Sequence, residues 1–180
     1  MKKLLATLLC LVVLMTGAAA FAEESGIWSM RAYNDDNGNP TDESYIISTE
    51  ITGAYCNEET IGGALSAYVY CEKSDGEFYI SFRLIEDGTI VENAGDETRY
   101  YDVAMLDNYG ELYEFEGTMS AGNRDVYFFA DGESTELIRA LNRDGSLRFA
   151  LTDASNPMVR YDFALEDTTG FADLVKAMGY

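Results

Sequence analysis

The side chains of this chain that could do chemistry are mostly carboxylates and tyrosines. The 180 residues include 32 aspartates and glutamates, 13 tyrosines and no histidine. Without histidine the chain lacks the usual general base, the Ser-His and Cys-His nucleophile pairs, and the commonest ligand for zinc and copper. Paired carboxylates could still hydrolyse a glycosidic or peptide bond, so a carboxylate-dependent hydrolase is one hypothesis.

One loop offers oxygen ligands suited to calcium. Asp35, Asn37 and Asn39 reproduce the first half of an EF-hand loop. Pro40 and Ile46, however, occupy the positions where an EF-hand needs glycine and a bidentate glutamate. The segment is therefore either a plain turn between strands or a calcium site of another kind.

A second cation site is suggested by the strands predicted at 99–107 and 111–118. A three-residue loop ending in Gly110 would set Asp102 directly opposite Glu116. Like charges across a ladder repel, so this register requires relief by an arginine or a cation, or else it is wrong. Calcium is the one cofactor that these residues could hold.

Tyrosines form the most promising binding surface. Strands predicted at 65–72 and 77–85, joined by a turn at 73–76, place Tyr68, Tyr70 and Tyr79 on the outward row. Tyr70 would then stand opposite Tyr79, and the cysteine at 71 opposite Phe78. Such an aromatic strip can stack on sugars or receive peptide side chains, unless other parts of the protein cover it.

The elements that must position these side chains are mainly strands. Short alternating runs separated by Gly, Asn, Asp and Ser predict strands near 27–33, 44–52, 65–72, 77–85, 99–107, 111–118, 124–130, 146–152 and 158–165. Helices are predicted at 134–142 and 169–178, with Ser134 and Thr168 as caps. The fold class is an antiparallel β-sandwich or open barrel with two short amphipathic helices.

The N-terminus has the three parts of a cleavable signal peptide. Lys2 and Lys3 precede an apolar run over 4–15, and Ala20-Phe21-Ala22 supplies a cleavage site. The run is shorter than the roughly 20 residues of a membrane-spanning helix. We therefore expect residues 1–22 to be removed, leaving one domain over 23–180 that is secreted or located in the periplasm or cell envelope, with no membrane insertion.

Cleavage would change the charge and the cysteine count. Loss of two lysines leaves ten basic against 32 acidic residues, a formal charge of −22, which repels phosphate backbones. Nucleic acid is therefore excluded as an expected partner, and a protein or glycan ligand remains. Loss of Cys10 leaves Cys56 and Cys71, which in an exported domain predict a disulfide or, alternatively, two buried thiols.

Scattered motifs resemble those of small exported bacterial β-sandwich proteins of unknown function. At the start they are Trp28, Tyr33-x₄-Gly38-x-Pro40-Thr41, Tyr45-Ile46 and Gly53-x-Tyr55. At the end, Leu137 to Leu141, Leu147-Arg148-Phe149, Tyr161-x-Phe163 and a final amphipathic helix are similar in layout to accessory periplasmic proteins of type VI secretion. The resemblance implies a β-rich sandwich and no particular catalytic residue.

Together these features favour an exported, non-enzymatic binding or structural module of the bacterial envelope or extracellular space. The alternatives are the carboxylate-dependent hydrolase, acting on envelope glycan or peptide, and an accessory subunit or inhibitor of an exported machine.

Overall fold

The computed structural model describes residues 23–128 and 132–180. The predicted signal peptide lies outside them. No helix in these two ranges is long and apolar enough to cross a membrane.

The described residues form twelve strands and two helices. The strands are β1 (Glu23–Ser25), β2 (Trp28–Asn34), β3 (Pro40–Ser48), β4 (Ile51–Cys56), β5 (Ile61–Ser74), β6 (Glu77–Glu86), β7 (Thr89–Ile90), β8 (Arg99–Asp107), β9 (Leu112–Met119), β10 (Asp125–Tyr127), β11 (Leu147–Asp153) and β12 (Arg160–Leu165). The helices are α1 (Glu133–Leu141) and α2 (Phe171–Ala177).

Eight of these strands close into an antiparallel barrel. The order is β5-β4-β12-β11-β8-β9-β10-β6, and pairing of β6 with β5 completes the circle. Strands β1 to β3 extend the sheet beyond β5, and β7 extends it beyond β6. The predicted mainly β fold with two short helices is confirmed.

The barrel interior is filled by the inward rows of the strands. Phe82 is fully buried, and its ring lies 5.0 Å from the rings of Phe128 and Phe149 and 5.3 Å from that of Phe163. Edge-on aromatic pairs of this kind contribute about 0.5–1.5 kcal/mol each beyond the area they bury. The outward rows are thereby left free to carry other chemistry.

The helices lie at the same end of the barrel. Helix α1 buries Leu137, Ile138 and Leu141, and α2 packs Phe171 against Trp28 with ring centroids 4.9 Å apart and the rings tilted at 59°. The predicted caps are wrong: Gly132 and Gly170 occupy the N-cap positions, both with φ of +93°, and neither makes a side-chain cap.

Ser134 instead ties α1 to the barrel, and Thr168 ties the start of α2 to the segment after α1 and to β2. The Ser134 hydroxyl donates to the carbonyl of Phe128, and that of Thr168 to the carbonyl of Arg143. The carbonyl of Thr168 accepts a hydrogen bond from the Trp28 indole at 3.2 Å.

The hairpin between β5 and β6 has a tighter turn than predicted. Ser74 pairs with Glu77, so the loop is only Asp75-Gly76, both with positive φ as a type I′ turn needs. The register moves by two residues, which keeps every side chain on its predicted face. Cys71 consequently lies opposite Ile80 rather than Phe78.

The predicted Cys56–Cys71 disulfide is wrong for this structure, which holds two free thiols. Cys56 pairs with Ile61 at the start of β5, whereas Cys71 is ten residues further along that strand. At about 3.3 Å per residue the two sites are on the order of 30 Å apart, far beyond the roughly 4.4–6.8 Å between bridged Cα atoms.

Candidate binding surface

A contiguous tyrosine cluster covers the outer side of the sheet where β2, β3 and β5 meet. The rings of Tyr33 and Tyr45 are 4.8 Å apart, and those of Tyr45 and Tyr70 are 6.1 Å apart. Tyr45 and Tyr70 are half-buried, while Tyr33 is 36% exposed. We call Tyr33, Tyr45, Tyr68 and Tyr70 the tyrosine face.

The chain brings these rings together through one hairpin and one register shift. The β2–β3 register shifts between Ala32 and Asn34, where residues 41–43 of β3 lie opposite Tyr33 alone. Irregularities of this kind re-aim a side chain, and here the Tyr33 ring comes to rest against Tyr45 of the neighbouring strand. Tyr45 then lies opposite Glu72 of β5, two residues from Tyr70.

An arginine borders the tyrosine face. The guanidinium of Arg83 lies 4.9 Å from the centre of the Tyr70 ring and donates to the Tyr70 hydroxyl at 3.1 Å. Its Nε and Nη2 also donate to the two carboxylate oxygens of Asp125, at 2.8 and 2.7 Å. This fork fixes the arginine in place, and two of its five N–H groups make no hydrogen bond to another described residue.

A carboxylate borders the other side. The Tyr33 hydroxyl donates to Oε1 of Glu72 at 2.6 Å. Burial, followed by this hydrogen bond to a carboxylate, raises the pKa of Tyr33, and burial raises that of Tyr70. Both phenols are therefore neutral at physiological pH, and a donor and an acceptor flank the rings.

The structure separates the three tyrosines predicted as a strip. Tyr68 and Tyr70 point outward as expected, with Tyr68 opposite Arg83. Tyr70, however, faces Ser81 rather than Tyr79, so the predicted Tyr70–Tyr79 pair is wrong. Tyr79 lies opposite Glu72, and its hydroxyl donates to Glu77 at 3.0 Å.

Tyr33 and Tyr45 were absent from the predicted tyrosine strip. That strip was built from the hairpin that joins β5 to β6, and no hairpin joins β2 or β3 to those strands. The available signal was the alternation along β3, where Ile46 is buried and Tyr45 must point the other way. Their meeting with Tyr70 depends on β3 pairing with β5, two strands that are not neighbours in sequence.

The predicted calcium loop is closed by its own hydrogen bonds. Asp35 Oδ1 accepts from the amides of Asn37 and Asn39 at 2.9 and 2.8 Å, and Oδ2 accepts from the Asn39 side chain. The hydrogen bond from the Asn39 amide is the largest cause lowering the pKa of Asp35. Calcium binding here stays a prediction. The hydrogen bonds to Asp35 are enough to account for the conformation of the loop.

The second predicted cation site has the expected register. Asp102 lies directly opposite Glu116, and both side chains are exposed. Within residues 23–128 and 132–180, no group of three or more histidines, cysteines, aspartates or glutamates is arranged to hold a metal ion. Water can screen an exposed pair of this kind, so the ladder tolerates it.

Comparisons with protein-family models, with curated proteins and with solved structures give no match. The resemblance to exported β-sandwich proteins and to type VI secretion accessory proteins therefore stays a prediction.

Proposed function

We propose that this chain is an exported, non-enzymatic binding module whose tyrosine face takes a neutral glycan. The observation that carries the proposal is the contact of Tyr33, Tyr45 and Tyr70 on one outer surface between Glu72 and Arg83. Export rests on the signal-peptide pattern of residues 1–22.

The chemistry beside the rings favours a ligand rich in hydroxyl groups. Aromatic faces accept the C–H side of a sugar ring, while the sugar hydroxyls need both donors and acceptors at its edge. Arg83 offers unused N–H groups, and Glu72 offers its second oxygen, Oε2. A purely apolar partner would cover the remaining N–H groups of Arg83 and the second oxygen of Glu72 without bonding to them, which is unfavourable.

The strands beneath the tyrosine face favour a glycan over an extended peptide. Peptides commonly bind a sheet by adding a strand to a free edge. Strand β3 is paired with β2 and β5, and β5 is paired with β6, so this surface offers side chains rather than backbone. The formal charge of −20 for the whole chain disfavours an anionic glycan.

The direct test is a glycan and peptide array probed with the wild type and two triple variants. The first replaces Tyr33, Tyr45 and Tyr70 by alanine. The matched control replaces Tyr100, Tyr109 and Tyr180 by alanine; these side chains are 49%, 71% and 52% exposed and lie outside the face. Circular dichroism and thermal unfolding establish that each variant folds.

We expect neutral oligosaccharides to bind the wild type and the control but not the first variant. Binding of peptides alone would favour an accessory subunit or inhibitor and overturn the proposal. Conversion of an array glycan to shorter products would favour the hydrolase.

A further inference from the structure

The side of the barrel farthest from the tyrosine face carries apolar side chains on its outer surface. In the closed order of eight strands, β8 is four positions from β5 in either direction, so these two strands lie across the barrel from each other. Leu106 of β8 and Leu112 of β9 lie directly opposite each other and are 40% and 63% exposed. An exposed apolar patch of this kind is typical of an interaction surface.

Two alanines extend this apolar surface across the strands. Ala104 of β8 and Ala150 of β11 lie opposite each other on the outer side of the sheet. They form the floor of a shallow depression of about 490 Å³. Small side chains let another segment approach the sheet closely. We call Ala104, Leu106, Leu112 and Ala150 the leucine face.

Three carboxylates border the leucine face on the β9 side. Glu114 lies opposite Ala104, and Asp102 lies opposite Glu116 in the next outward row. All three acidic side chains are exposed, and no arginine or lysine nitrogen of the described residues lies within 4.0 Å of them. Cations supplied by a partner would relieve the repulsion across this ladder.

The arginines near the leucine face do not offset these carboxylates. Arg148 lies opposite Leu106, whereas Arg160 is already paired with Asp162 at 2.7 Å. Three carboxylates thus stand against one guanidinium, and the formal charge of the whole chain, −20, has the same sign. A second copy of this chain would be repelled, while a cationic partner would be attracted both at long range and in contact.

The backbone beneath the leucine face favours a helical partner over an added strand. Over residues 101–106, β8 is paired with β9 on one side and with β11 on the other, so it has no free edge there. A helix satisfies its own backbone hydrogen bonds and can present an apolar stripe to the leucines. Strands β9, β8, β11 and β12 span about 14 Å at roughly 4.8 Å between neighbours, close to three turns of helix.

We propose that the leucine face docks an amphipathic helix of a partner protein, one that carries lysine or arginine beside its apolar stripe. The stripe packs on Leu106, Leu112 and the two alanines. The flanking cations lie against the carboxylates of Asp102, Glu114 and Glu116. This docking goes beyond glycan binding, because ligands on opposite sides of the barrel can be held at the same time.

The test titrates residues 23–180 with a synthetic amphipathic peptide of about 14 residues, roughly four turns of helix, with leucine on one face and lysine on the other. Glutamate replaces lysine in a second peptide, and serine replaces leucine in a third. Calorimetry is done at about 150 mM salt, which screens long-range attraction. Nitrogen-15 NMR then identifies the amides whose shifts change.

A double leucine variant tests the apolar contact. Leu106→Ser with Leu112→Ser removes the exposed apolar pair and leaves the charge unchanged. Its matched control is Ile61→Ser with Met158→Ser, which replaces two exposed apolar side chains toward the other end of the barrel. Circular dichroism and urea unfolding establish that each variant folds.

A double charge variant tests the carboxylates. Glu114→Gln with Glu116→Gln removes two negative charges beside the leucine face. Its matched control, Asp96→Asn with Glu97→Gln, removes two exposed charges from the segment between β7 and β8. The two variants have the same net charge, so a difference between them reports on position.

We expect the leucine–lysine peptide to bind and to shift amides mainly in β8, β9 and β11. The double leucine variant should raise its Kd at least about tenfold, and both controls should leave it within about twofold. The double charge variant should raise Kd at least about threefold, a smaller effect because exposed charges contribute less. The glutamate and serine peptides should bind at least about tenfold more weakly than the leucine–lysine peptide.

Three results would overturn the proposal: the glutamate peptide binds as tightly as the lysine peptide, the amide shifts spread over the whole acidic surface, or either double variant binds like its control. Self-association that Leu106→Ser abolishes would also overturn it, since a second copy would then be the occupant. Tyr45→Ala leaves the leucine face intact, so failure here and failure of glycan binding are separable.

Discussion

Arg83 holds both carboxylate oxygens of Asp125 in a two-pronged hydrogen bond between β6 and β10. The side chain of Asp125 is 14% exposed and that of Arg83 is 34% exposed, so the pair is partly shielded from water. These two hydrogen bonds also hold the guanidinium over the ring of Tyr70. One ion pair therefore contributes to the barrel wall and to the edge of the tyrosine face.

Replacing Asp125 by asparagine should lower the free energy of unfolding by about 1–2 kcal/mol, between the values for exposed and buried pairs. Urea unfolding measures the change. Asp162→Asn is the control, because its pair with Arg160 is about half-exposed and should contribute less than about 0.5 kcal/mol. Equal effects of the two substitutions would show that the Arg83 fork has no special role.

The like-charged pair of Asp102 and Glu116 supports a prediction about calcium. With no ion bound, Glu116→Gln removes repulsion across the ladder and should raise stability by a few tenths of a kcal/mol, roughly 0.2–0.5. Calorimetry with and without calcium measures it. A calcium-dependent rise in Tm that disappears in Glu116→Gln would instead establish a cation site here.

Cys71 should be chemically inert in the folded protein. Burial raises the pKa of its thiol to about 12, so almost no thiolate exists at pH 8. Because the folded pKa lies above the ordinary value of 9.0, the associated stability is present below pH 9 and is lost as the pH rises toward 12.

Thiol titration of residues 23–180 without reductant tests this account of the cysteines. Native protein should react at Cys56 alone, which is half-exposed, and denatured protein should show two thiols. Finding no free thiol after denaturation would restore the disulfide prediction.

Gly170 should tolerate substitution far less well than Gly38, although both have positive φ. A Cβ at Gly170 would lie 2.9 Å from the carbonyl oxygen of Ser25 and would collide with its hydroxyl, whereas one at Gly38 meets nothing within 4 Å. We expect Gly38→Ala to cost about 1 kcal/mol for the backbone alone, and Gly170→Ala at least about twice that. Urea unfolding compares them, and equal losses would mean that β1 does not pack tightly on α2.

The sequence patterns predicted the face of the sheet on which each side chain lies better than they predicted which residues lie opposite each other on paired strands. The β8–β9 register was right because a glycine at position 110, with φ of +83°, fits the three-residue loop that the spacing suggested. The β5–β6 register was off by two because the turn needed positive φ at Asp75, which a non-glycine residue adopts only occasionally. A register shift of two residues leaves every side chain on the same face of the sheet, so the outward positions predicted for Tyr68 and Tyr70 were still correct.

The break between β3 and β4 could not be predicted from local pattern. Residues 44–52 alternate well enough to be one strand, but the structure ends β3 at Ser48 and begins β4 at Ile51. The reason is nonlocal: β3 pairs with the second half of β5, and β4 pairs with its first half. The same nonlocal pairing assembles the tyrosine face, so the sequence could indicate only part of it.

The central claim is tested most directly by calorimetric titration of a neutral oligosaccharide found on the array into wild type, Tyr45→Ala and Tyr109→Ala. Tyr45 joins the other two rings of the cluster, while Tyr109 lies in the β8–β9 loop and is 71% exposed. We predict that Tyr45→Ala raises Kd at least about tenfold, equivalent to about 1.4 kcal/mol, and that Tyr109→Ala leaves it unchanged. Equal affinities for all three proteins would contradict glycan binding at the tyrosine face.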